Sequence, residues 1–100
     1  MLTLGDVAYT LAVMRVNFKK KSYTVVFTVH ALEQMQLRGI SEAEVIYVIE
    51  RGTAKAKSTK GKFWVYLEVA ARNDNLICVS LSIEPPTLII ITTLVNWRPE

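Results

Sequence analysis

The sequence predicts an α+β domain in which two short helices pack on an antiparallel sheet of three to four strands. Three observations carry that prediction. Residues 28–52 hold two complete sets of helix start and stop signals. Three apolar, alternating segments follow residue 62, separated by turn chemistry. One strand-like segment, YTVVFT, precedes the helices. Helices that segregate from a run of strands imply α+β architecture.

The elements follow in chain order. Residues 1–22 are open between two readings. LGDVAYTLAVM places Leu4, Val7 and Leu11 on one helical face, whereas MRVNF alternates like a strand. This stretch is read as an N-terminal extension or strand, and 23–97 as the core of a single domain spanning 1–100. YTVVFT, residues 23–28, is β-branched and aromatic and reads as a strand. Thr28 then has the chemistry of an N-cap, with Phe27 and Leu32 placed as a hydrophobic staple. The first helix runs to Arg38, and Gly39 ends it. Ser41 and Glu44 form a capping box for the second helix, with Ile40 and Val45 as its staple. Val45, Val48 and Ile49 supply the buried stripe, and Gly52 is the stop.

TAKAKSTKGK, residues 53–62, is polar and basic and reads as a loop or frayed strand. FWVYLEVA (63–70) and LICVSLSI (76–83) alternate, with ARNDN as the turn between them. EPPT interrupts the chain, because proline cannot serve a central ladder. LIIITTLVNW (88–97) begins apolar on both sides, which suits a central or doubly covered strand. The expected order is strand, helix, helix and a three-stranded meander, with the second sheet face more open.

Composition narrows the function classes. The chain has 100 residues, 51% of them hydrophobic, so it needs a dense core or apolar surface used in association. The single cysteine, Cys78, forbids an intrachain disulfide and fits a reducing, cytoplasmic setting. It falls in a strand, where a buried and inert thiol is expected. No CxxC or histidine-rich spacing suggests a metal, and no cofactor is implied. Neither a signal peptide nor a membrane span is expected. The net charge is +3, but its distribution matters more. Arg51, Lys55, Lys57, Lys60 and Lys62 follow one another with no acidic residue after Glu50 until Glu68.

The only histidine, His30, lies in the first turn of the first helix. The positive end of the helix dipole disfavours imidazolium there, so a neutral general base is available. His30, Gln34 and Arg38 follow i, i+4, i+8 spacing along one stripe. A base with a guanidinium suits RNA cleavage, one taking the 2′-hydroxyl proton and the other stabilising phosphate charge. Lys55, Lys57, Lys60 and Lys62 would hold an RNA backbone, and Trp64 and Tyr66 would stack bases. Each residue also has a structural reading. His30 packs or caps, Arg38 caps the last carbonyls of its helix, Trp64 and Tyr66 fill core or interface, and the lysines solvate a loop.

The pattern T-x-H-A-x-x-x-M-x-x-R-G-I-S-x-x-x-V, then Gly61-Lys62 and an aromatic strand start, resembles a small prokaryotic domain-of-unknown-function family with an HAxxRMxxRGI-type motif. His30, Ala31, Met35, Arg38, Gly39 and Ile40 match it, while Gln34 stands where the family commonly has arginine. The resemblance implies a RelE/ParE-like fold, and with it a toxin of a toxin–antitoxin system, an RNA-cleaving endoribonuclease with a small antitoxin protein as partner. Two other readings stand beside it. One is a non-catalytic protein-binding module that docks through its sheet or basic loop. The other is a structural homodimer joined through LIIITTLV or the aromatic pair.

Overall fold

The computed structural model describes residues 14–69 and 76–96. It overturns the expected three- to four-stranded antiparallel sheet. The sheet has six strands, is mixed, and curls into a half-barrel carrying two helices. In chain order the elements are β1 (Arg15–Phe18), β2 (Lys21–Phe27), α1 (Val29–Arg38), α2 (Glu42–Arg51), β3 (Thr53–Ala56), β4 (Lys62–Glu68), β5 (Leu76–Glu84) and β6 (Thr87–Val95). Across the sheet they lie in the order β1-β2-β6-β5-β4-β3. Among these neighbours β2 and β6 are parallel, with Val25 beside Leu88 and Phe27 beside Ile90, and the others are antiparallel.

Two strands account for most of the difference. β1 resolves the open reading of MRVNF as a strand; the helix reading of LGDVAYTLAVM, residues 4–14, lies outside the described residues except for Met14. The turn joining β1 to β2 places Lys19 at φ 50° and Lys20 at φ 68°. Two consecutive positive φ values are what a tight hairpin turn requires, and glycine or asparagine normally supplies them. Lysine gives no such signal, so the hairpin is silent in sequence. Left-handed backbone costs a non-glycine residue about 1 kcal/mol or more. Lys20→Gly is therefore expected to raise stability by about 1 kcal/mol, read from chemical denaturation. Lys19 is kept because its ammonium lies 5.0 Å from the centre of the Phe63 ring.

The second added strand is β3, made by TAKA from the stretch read as a loop or frayed strand. It pairs with β4 through Lys55 opposite Trp64 and Ala56 opposite Phe63.

The helices follow their capping chemistry. Ala31 N–H donates to Thr28 Oγ1 at 3.0 Å, and the Thr28 hydroxyl donates to the carbonyl of Ile91 at 3.0 Å. Thr28 thus caps α1 and ties it to β6, where Ile91 is the extra residue of a bulge. Gly39 closes α1 at φ 63°, and Ile40 N–H reaches the Met35 carbonyl at 2.9 Å. The Ser41–Glu44 capping box forms in both directions, at 2.9 and 3.0 Å.

One core joins the layers. Ala31 and Met35 of α1, and Val45, Val48 and Ile49 of α2, meet Val65, Ile77, Val79, Leu81, Leu88 and Ile90 of the sheet. Alternation then fixes the other face of each strand. On β4 that face carries Lys62, Trp64 and Tyr66; on β5 it carries Cys78, Ser80 and Ser82. The strand LIIITTLV lies inside the sheet as β6, with Leu88, Ile89 and Ile90 buried, so it has no edge to offer a second copy. Among the described residues, no helix is long and apolar enough to cross a membrane.

Candidate nucleic-acid interface

The candidate residues occupy two places, separated by the sheet. His30, Gln34 and Arg38 ride on α1, on the helix side. His30 is exposed, and its side chain makes no hydrogen bond to a described residue. Arg38 Nη1 donates to Gln34 Oε1, one turn back along the helix. Arg38 also stands in the last turn, where a cation complements the helix dipole. Eight residues of α-helix separate His30 from Arg38 by about 12 Å along the axis. Long side chains on a helix lean toward its N-terminus, and Gln34 holds the Arg38 guanidinium between the two positions. The Arg38 guanidinium thus sits beside Gln34, about one helical turn from His30 along the axis.

The basic and aromatic residues gather on the other side. Register places Lys55 across from Trp64, and Thr53 across from Tyr66, on the face away from the helices. Lys62, at the start of β4, shares that face, and Lys60 sits exposed in the turn between β3 and β4. Lys57 N–H donates to the Lys62 carbonyl at 2.9 Å, continuing the ladder, so Lys57 lies on the same face as Lys55.

Lys57 is the organising group of this face. Its ammonium lies 3.9 Å from the centre of the Trp64 ring and donates to the hydroxyl of Ser80. A cation over an indole face is the favourable cation–π geometry. Burial lowers the Lys57 pKa, and the neighbouring Lys62 charge lowers it further. The first cause is loss of water around the ammonium, and the second is a like charge nearby. Trp64 is therefore clasped by a lysine and not simply bare. Trp64 and Tyr66 are both half-buried.

Cys78 is fully buried on the same face. Burial pushes its thiol up to about 12, against a smaller lowering from Lys57 and from a backbone hydrogen bond of Val65. A thiol held that high has almost no thiolate at neutral pH, which matches the inert cysteine expected from sequence. Among the described residues, no group of three or more His, Cys, Asp or Glu side chains is placed to hold a metal ion.

Several participants were not legible in sequence. Ser80 anchors Lys57 through a contact 23 residues away. Arg15 lies toward the other end of the same face, donating to Ser22 and Thr24 at 3.1 Å each. Glu50 reaches from the end of α2 to β1, where its carboxylate accepts from Asn17 N–H at 2.9 Å. Only the TAKAK alternation hinted at the lysine placement, because it fits a strand as well as a loop.

A family model described as a domain of unknown function, DUF4258, matches residues 27–95. No curated protein and no solved structure matches the chain.

Proposed function

Since the chain belongs to the DUF4258 family of domains of unknown function, its activity must be argued from the site, and we propose that it is a toxin-like RNA-binding protein that holds RNA on the β3–β4 face. The observation that carries this reading is the packing of Lys55, Lys57 and Lys62 on one sheet face, with Lys60 in the adjoining turn. Burial lowers the Lys57 pKa most, and the nearby Lys62 charge adds a smaller lowering, so a desolvated cation stands here beside a like charge. A polyanion relieves that repulsion. Phosphates neutralise the lysines and release their counterions, and such binding weakens steeply with salt. A single strand suits the face better than a duplex, because Trp64 and Tyr66 lie beside the lysines as aromatic surface for unstacked bases.

The test is fluorescence anisotropy of a labelled single-stranded RNA titrated with the protein at increasing salt. Binding at low salt with a steep logarithmic salt slope supports the reading. No binding at low salt ends it.

A second reading is RNA cleavage, favoured by one observation: His30 is exposed and unengaged by any described side chain. A substrate strand would have to leave the lysine face and pass α1, with His30 as base and Arg38 on a separate phosphate. General-base catalysis contributes typically about 10²–10⁴-fold. His30→Ala should then cut cleavage by about that factor while circular dichroism shows unchanged helix content. Wild-type protein that binds RNA and leaves it intact would keep the binding reading and remove this one.

A further inference from the structure

The two edges of the sheet are finished differently. A sheet edge exposes unpaired backbone groups, and proteins block them with charge, cover or irregularity. At the β1 edge the outward N–H of Asn17 is taken by the Glu50 carboxylate, so a side chain from α2 plugs that edge. At the β3 edge nothing comparable is found among the described residues. The Lys57–Lys62 bond sets the ladder phase, so Lys55 and Thr53 turn their backbone groups toward β4. Ala54 and Ala56 turn theirs outward. All four β3 residues are exposed, and the outward groups of Ala54 and Ala56 have no described partner.

We propose that this edge accepts an extended acidic peptide as a seventh strand, with acidic and apolar residues alternating. Backbone groups of the peptide pair with Ala54 and Ala56, the ordinary mode of strand addition. Side chains then fall alternately on the two faces. Those on the lysine face lie next to Lys55 and toward the exposed Lys60 and must be acidic, while the Lys57 ammonium is turned inward to Trp64 and Ser80. Those on the other face lie beside the methyl groups of Ala54 and Ala56, which leave room for apolar side chains. The same charges argue against the other occupants. A second copy pairing edge to edge would set Lys55 against its own equivalent, which like-charge pairing disfavours. RNA has no backbone donors and acceptors at strand spacing and would use the lysines alone. The lysines thus act as a filter: they repel this chain's own edge and admit an acidic strand.

The proposal shares Lys55 and Lys60 with the RNA reading but rests on the edge backbone, so the two can fail separately. The probe is an acetylated, amidated hexapeptide of alternating glutamate and valine. It is compared with the same peptide N-methylated at alternate residues, which keeps the charge and cannot pair. The unmodified peptide should bind and slow hydrogen exchange at the Ala54 and Ala56 amides. N-methylation on the pairing edge should weaken binding about tenfold or more, the effect of losing two backbone hydrogen bonds. Ala56→Pro removes an outward donor without touching the β3–β4 ladder. It should weaken the peptide similarly and leave RNA anisotropy unchanged. Equal binding of the two peptides would overturn the proposal by showing attraction through charge alone. Failure of the unmodified peptide to bind, protection confined to other strands, or self-association through β3 seen in sedimentation would overturn it as well.

Discussion

Gly52→Ala is expected to destabilise the fold by about 3 kcal/mol, the upper part of the range for overpacking a tight site. The residue ends α2 and begins the path into β3, with φ −81°, a conformation open to any residue. Its requirement is space. A Cβ built there would lie 2.5 Å from the Val48 carbonyl oxygen and 2.6 Å from that of Tyr66. Both are backbone atoms, one in the last turns of α2 and the other in β4, so neither swings aside. Relief requires α2 to move off the sheet, and Val48 and Ile49 would then lose their burial against it. Gly39 is the control. It has φ 63°, and nothing lies within 4 Å of its added Cβ. Gly39→Ala meets backbone strain without a clash and should cost about 1 kcal/mol. Urea denaturation of both variants checks the pair. Equal losses would contradict the close contact at Gly52.

Replacing Lys55, Lys57, Lys60 and Lys62 together by glutamine is expected to lower RNA affinity by at least about a hundredfold at low salt. It should also reduce the logarithmic salt slope by roughly 3, at about 0.7 per phosphate contact on a single strand. The effect would be large because all four charges would act on one RNA backbone. Lys57 needs separate treatment, since it also holds Trp64 and Ser80. The triple variant that keeps Lys57 should show about three quarters of that slope change, with a melting temperature close to wild type. An unchanged slope in the folded triple variant would move RNA binding, if present, to another surface.

The helices were legible because their signals are local. Thr28, Gly39, Ser41 and Glu44 each act within four residues, and the boundaries 29–38 and 42–51 follow from them. The sheet was legible only where a strand is long and alternates. β1 and β3 are four residues each, and the β1–β2 turn uses lysines where sequence rules look for glycine or asparagine. The parallel pairing of β2 with β6 joins residues more than 60 positions apart, a fact no local pattern contains. It turns a simple meander into a mixed, curled sheet.

The candidate site divides the same way. That Lys62, Trp64 and Tyr66 share a face follows from alternation alone. That Lys55 and Lys57 join them requires the β3 register. The separation of these residues from His30 depends on which side of the sheet α1 covers, which is set by the core. The sequence motif containing His30, Arg38 and Gly39 also serves plain structural ends here: Arg38 bonds Gln34 beside the helix terminus, and Gly39 turns the chain.

The central claim is that RNA lies on the β3–β4 face. The most direct measurement is a backbone amide spectrum of the isotope-labelled protein titrated with a short single-stranded RNA. The account predicts that the largest shifts fall on residues 53–66, with the indole N–H of Trp64 among them, and that α1 moves little. Shifts centred on α1 around His30 and Arg38, with the β3–β4 hairpin unperturbed, would contradict it.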